Sequence, residues 1–209
     1  MFLFDGPDDA DTTILLAHGA GAAMDSAAMT MASAALARAG LRVARFEFGY
    51  MAGRRTTGSR KPPPKAEKLT DEYRAAIAAL GALPRLIIGG KSMGGRVASM
   101  IVDEERAAGR VAGLVCLGYP FHPPGKPESL RTAHLEKMTA PALICQGTRD
   151  PFGAKEEVST YALSDVIKIL WLEDGDHDLK PRKAISGFTH ADHMATMAEA
   201  VVAFAGRLG

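Results

Sequence analysis

Cysteine is scarce: Cys116 and Cys145 are the only two in 209 residues. Each sits inside an apolar run, so a disulfide framework is excluded and both read as small buried hydrophobes. Neither sign of charge is in excess, since 25 Lys and Arg face 24 Asp and Glu for a net charge of +1. That balance supplies no global field to draw nucleic acid or an anionic membrane to the surface. No apolar run approaches the roughly 20 residues that a membrane span needs. The start, Met1-Phe2-Leu3-Phe4-Asp5, lacks the basic residues and long apolar stretch of a secretory signal. The expectation is a cytoplasmic protein with no nucleic acid and no membrane among its partners. Aromatics are few, at 6%, yet 47% of residues are hydrophobic and 22 are glycine, an ordinary balance for a globular α/β protein. The length predicts one domain over residues 1–209, large enough to bury a substantial core. There is no internal repeat.

Strand-like and helix-like segments alternate along most of the chain, the pattern of a parallel sheet covered by helices. Strands are expected at Met1–Phe4 (a short edge), Thr12–Ala17, Leu41–Phe48, Pro84–Gly89, Val111–Leu117, Pro141–Gln146 and Val166–Leu172. Helices are expected at Met24–Ala39, Ala66–Gly81, Met93–Ala108, Ala154–Leu163 and from His190 to Leu208, with a broken helix at Glu128–Met138. Gly49–Lys65 and Gly118–Pro127 read as loops. Gly40 is placed to close the first helix, and Thr189 with Asp192 to form a capping box for the last.

The most informative stretch is Leu86 to Arg96, where an apolar strand runs into Gly90-Lys91-Ser92-Met93-Gly94 and then a helix. This is the strand–turn–helix setting of a Gly-x-Ser-x-Gly nucleophile elbow. The serine takes a strained backbone conformation there, and a Cβ on the flanking residues would clash. An N-capping serine is the competing reading. A phosphate loop is rejected, because its first glycine falls at Arg85.

Ligands of an open parallel sheet bind at the carboxyl ends of its strands. His18-Gly19-Ala20-Gly21, Ser92, Gly147-Thr148-Arg149-Asp150 and Gly175-Asp176-His177 each follow a strand and should converge on one rim. A serine hydroxyl needs a base to take its proton and a third group to orient that base. Ser92, Asp150 and His177 occur in the order Ser…Asp…His expected of an α/β-hydrolase triad. His18 is the weaker candidate base, better placed to brace its own loop. His190 and His193 fall in the first turns of a capped helix. Asp174, Asp176 and Asp178 mimic the start of a calcium loop, but Leu179 and Ile185 stand where it needs glycine and glutamate, so no metal and no other cofactor is expected. By placement, the backbone N–H groups of Ala20 and Met93 would form the oxyanion hole.

The segments LLAHGAGA, GGKSMGGRVAS, GYPFHPPGKPE, CQGTRDPFG and LEDGDHDLK resemble the small α/β-hydrolases of the KANL3/Tex30 type, related more broadly to dienelactone hydrolases. The resemblance spans Thr12 to Leu208. It implies an α/β-hydrolase fold: a mostly parallel sheet of about six to seven strands, helices on both faces and no large cap domain. It also implies a triad of Ser92, Asp150 and His177, with serine where dienelactone hydrolases carry cysteine.

Pocket-lining candidates are His18, Tyr119, Phe121 and His122; for the last three the alternative is a proline-stiffened loop packed on the fold. The segment Gly49–Lys68 holds Arg54, Arg55, Arg60, Lys61, Lys65 and Lys68 against Glu67, either to attract an anionic substrate or as a solvated loop. The functional expectation is a serine hydrolase of small or flexible esters or thioesters. The alternatives are a non-catalytic binding module on the same fold and an acyltransferase using the same triad.

Overall fold

The computed structural model describes residues 1–58 and 62–208. Its centre is a seven-stranded sheet made of β1 (Phe2–Asp5), β2 (Thr13–Ala17), β3 (Arg42–Phe46), β4 (Leu86–Lys91), β5 (Gly113–Leu117), β6 (Ala142–Gly147) and β7 (Ile167–Leu172), in the order β1-β3-β2-β4-β5-β6-β7. Only β1, at the edge, runs antiparallel, pairing Phe2 with Phe46. The inner strands are continuous apolar runs because both faces of the sheet are covered. Side chains alternate along each strand. Leu15 and Ala17 enter one core with Tyr73, Val97 and Ile101, whereas Ile14 and Leu16 enter the other with Leu36, Met197 and Val201.

The first core is closed by α3 (Thr70–Leu80) and α4 (Met93–Ala107), and the second by α1 (Ala27–Arg38) and α7 (His190–Ala205). Cys116 and Cys145 are fully buried on opposite sides of the sheet. The capping box of α7 forms: Asp192 N–H donates to Thr189 Oγ1 at 3.2 Å and Thr189 N–H to Asp192 Oδ2 at 2.7 Å. Among the described residues no helix is long and apolar enough to cross a membrane.

Several segments differ from the sequence reading. The expected loop Gly49–Lys65 begins with a helix, α2 (Gly49–Thr57). Tertiary bonds hold it: Glu72 accepts from Gly49 N–H at 2.6 Å, and Arg55 reaches Asp25 and Glu47. The helix expected at Ala66–Gly81 is divided into a 3-10 turn, Ala66–Lys68, and α3. Glu128–Met138 is a series of turns, because Arg131 N–H bonds across to Phe121 O at 2.7 Å instead of to the preceding helical turn. The helix expected at Ala154–Leu163 shrinks to α5 (Lys155–Val158), and a further short helix, α6 (Lys183–Ser186), lies between β7 and α7.

The strand order fixes where the chemistry collects. The carboxyl ends of β2, β4, β5, β6 and β7 lie in parallel along one edge, with β4 between β2 and β5.

Candidate active site

Ser92 takes φ 51° and ψ −117°, a region that a residue with a Cβ enters only at a cost of roughly 1–3 kcal/mol. The turn is held from both sides: Ser92 N–H donates to Leu117 O at 3.1 Å, and Ser92 O accepts from Arg96 N–H at 3.0 Å. A Cβ on Gly90 or on Gly94 would lie 2.4 Å from Ala17 O, so only glycine lets β4 and α4 pass β2 this closely. The Ser92 side chain makes no capping bond to α4. Its Oγ stands 2.8 Å from Nε2 of His177 instead, so the capping reading of this serine fails.

His177 comes from the loop after β7. Its Nδ1 is 2.8 Å from Oδ2 of Asp150, which follows β6 and is fully buried. Asp150 also accepts from Phe152 N–H and from Gln146 Nε2, both at 2.9 Å. Gln146 is itself fixed: its Oε1 accepts from Tyr119 N–H at 2.7 Å, and its amide donates to Gly153 O at 3.2 Å. With Asp150 so placed, the fitting tautomer carries the proton on Nδ1 and leaves Nε2 to accept from Ser92. Phe152 stacks on the imidazole at 4.1 Å between ring centroids.

Four anchors hold the His177 loop. Lys91, the residue before Ser92, donates from Nζ to His177 O at 2.6 Å and pairs with Asp178 at 3.0 Å. Asp174, at positive φ, pairs with Arg182 and accepts from Arg182 N–H at 2.7 Å; Arg149 bonds its carbonyl, also at 2.7 Å. The Arg182 hydrogen bonds are the main reason that the Asp174 carboxyl is lowered to about 2. From α7, His193 bonds Leu179 O and His190 bonds Asp178 O. Asp176 accepts from the N–H groups of Asp178 and Lys180. The acidic run Asp174–Asp178 is thus engaged by the chain's own donors. On its other side, a Cβ on Gly118 would lie 2.6 Å from His177 O, so the bare backbone after β5 gives the loop its room.

Beside Ser92 lies an open cavity of about 520 Å³, bordered by Ala20, Met93, Pro120 and Phe152 and by the charged residues Lys65, Glu67, Arg96 and Arg131.

The family model of the alpha/beta hydrolase domain matches residues 10–206. The chain belongs to the α/β-hydrolase family. As a member it is a hydrolase, and solved structures share its fold. A lidless α/β serine hydrolase from Xanthomonas campestris aligns over 98% of this chain and 88% of its own at 19% identity, with a TM-score of 0.70. A dienelactone hydrolase from Anabaena variabilis aligns over 97% and 89% at 20% identity, TM-score 0.68. The esterase domain of a Rhodothermus marinus protein aligns over 99% and 92% at 20% identity, TM-score 0.67.

In this α/β-hydrolase the residues expected to line the pocket do not reach it. His18 is fully buried; its Nε2 accepts from Phe48 N–H at 3.1 Å and its Nδ1 bonds Gly19 O at 2.7 Å. Burial lowers its pKa, and both ring nitrogens are spent on bracing the loop after β2. Tyr119 and Phe121 are fully buried in the first core, and His122 is turned to Pro123 O and Glu157. Of that proline-rich loop only Pro120 borders the cavity. In the basic segment Arg55 is bound to Asp25 and Glu47, Arg54 stands 5.4 Å over the Tyr50 ring, and Lys65 alone of its described cations borders the cavity. Arg60 and Lys61 lie outside the described residues.

Sequence reasoning missed Gln146, Phe152, Lys91, Arg96 and Arg131. Gln146 had a usable signal, an amide at the end of an otherwise apolar strand. Lys91 and Phe152 are neighbours of Ser92 and Asp150, but neither residue type announces its role.

Proposed function

We propose that this hydrolase cleaves carboxylic esters or thioesters through an acyl-enzyme on Ser92. The observation that carries the reading is His177 bridging Ser92 Oγ and Asp150 Oδ2, both at 2.8 Å. Ser92 Oγ attacks the carbonyl carbon while His177 Nε2 takes its proton. Asp150 holds the imidazole tautomer and stabilises the imidazolium. The N–H groups of Ala20 and Met93 receive the oxyanion; both residues border the cavity with Ser92. The tetrahedral intermediate collapses, the acyl–oxygen or acyl–sulfur bond breaks, and His177 protonates the departing alcohol or thiol. Water then attacks the acyl-enzyme, giving its proton to His177, and the acid leaves as the proton returns to Ser92.

The motif resemblance to the KANL3/Tex30 type supports the same assignment, as does the order of the three residues along the chain. The test is turnover of short-chain 4-nitrophenyl esters by wild type and Ser92→Ala. The variant is expected to lose several orders of magnitude in kcat, on the scale of ~10⁶. Turnover by Ser92→Ala close to wild type refutes the role of Ser92.

A further inference from the structure

The cavity beside Ser92 carries cations that the protein does not fully answer. Arg96 donates from Nη2 to Glu67 at 2.7 Å, yet the Glu67 side chain is 55% exposed against 17% for Arg96. The Arg96 Nε is buried with no hydrogen-bond partner. Arg131 lies close enough to Arg96 to feel its charge: burial first, and then Arg96, push the Arg131 guanidinium below the usual arginine range. Glu67 is the only carboxylate bordering the cavity, and the Arg131 guanidinium has no hydrogen-bond or ion-pair partner among the described residues. Lys65, the third cation, is exposed and also feels the Glu67 charge.

Arg131 is nonetheless held firmly in place. Its N–H donates to Phe121 O at 2.7 Å and its carbonyl accepts from Tyr119 OH at 3.3 Å, so two fully buried aromatics fix the base of the side chain. Two half-buried guanidiniums that line one cavity repel one another, and an anion between them relieves that repulsion. Arg96 is paired directly with Glu67; Arg131 feels the Glu67 charge but makes no hydrogen bond or ion pair with it. Planar guanidiniums match the two oxygens of a carboxylate. Ala20, Pro120 and Phe152 give the cavity that this pair shares with Ser92 an apolar portion.

We propose that Arg131, with Arg96 beside it, binds a carboxylate on the substrate, so that the preferred esters carry an ionised carboxyl group at the far end of a short apolar chain. This rests on the hydrolase reading of Ser92 and names its substrate class.

The test compares the mono-4-nitrophenyl esters of succinate, glutarate and adipate with the 4-nitrophenyl esters of butanoate, pentanoate and hexanoate. Wild type should favour at least one carboxylated ester over its neutral match by about tenfold or more in kcat/KM, the scale of a charged hydrogen bond. Added salt should reduce that preference. Arg131→Gln should lower the ratio at least tenfold, and Arg131→Glu should bring it below one. Equal use of both series by wild type, or an unchanged ratio in Arg131→Gln, overturns the proposal. Should the variants fail to fold, inhibition of neutral-ester turnover in wild type decides: glutarate must compete and glutaramide must not. Should wild type cleave neither series, the reading of Ser92 fails separately. Calorimetry of free glutarate then judges the anion site, with binding supporting it and no binding rejecting it.

Discussion

At the scale of single residues, His177 is governed by what surrounds it. Asp150 accepts from Phe152 N–H and Gln146 Nε2 while facing His177 Nδ1, so its oxygens have nowhere else to turn. Asp150→Asn keeps the shape but puts an amide beside Nδ1, where it favours the tautomer with its proton on Nε2. Nε2 is the atom that must accept from Ser92. The expected loss is about 10⁴ in kcat in the folded variant; a loss below tenfold contradicts the role given to Asp150. The grouping of Ser92, Asp150 and His177 was legible in the sequence because three residue types sat at strand ends in a telling order. Tyr119 and Phe121 misled because a residue that follows a strand points either into the cleft or into the core. Here the chain after β5 turns both rings inward and leaves Pro120 at the cavity. Arg96 and Arg131 gave no signal, since an arginine in a sequence does not reveal whether a carboxylate will reach it.

At the scale of elements, the loop after β7 is the part that must be held, and Asp174 is its clamp. Its carboxyl is lowered from 3.8 to about 2, chiefly by the Arg182 hydrogen bonds. A carboxyl depressed in the folded state adds stability above its unfolded pKa and loses it as pH falls toward the folded one. The difference in Tm between wild type and Asp174→Asn should therefore be full at pH 7, shrink below about pH 4 and close near pH 2. A gap unchanged from pH 7 to pH 2, or no gap at pH 7, contradicts the clamp. The strands were legible because burial on both faces demands uninterrupted apolar runs, and the α7 capping box because its two partners are local. Helix α2 was not: Met51 is its only buried residue, and its support comes from Glu72 and Asp25, distant in sequence, and from Glu47 just before the helix. Glu128–Met138 failed for the same reason, since its decisive bond runs from Arg131 to Phe121.

At the scale of the whole molecule, the site belongs to no local segment. Ser92 follows β4, Asp150 follows β6 and His177 follows β7, while Ala20 follows β2. The strand order brings these ends to one edge, and cores on both faces of the sheet hold them there. An activated serine should therefore exist only while the entire sheet is intact. The most direct measurement is labelling with a fluorophosphonate probe, with the modified residue mapped by mass spectrometry, in native protein and across a urea titration. Wild type should be labelled at Ser92, Ser92→Ala and His177→Ala should not, and labelling should vanish together with the global unfolding transition. A folded wild type that takes no label, or labelling that persists in His177→Ala, would contradict the account.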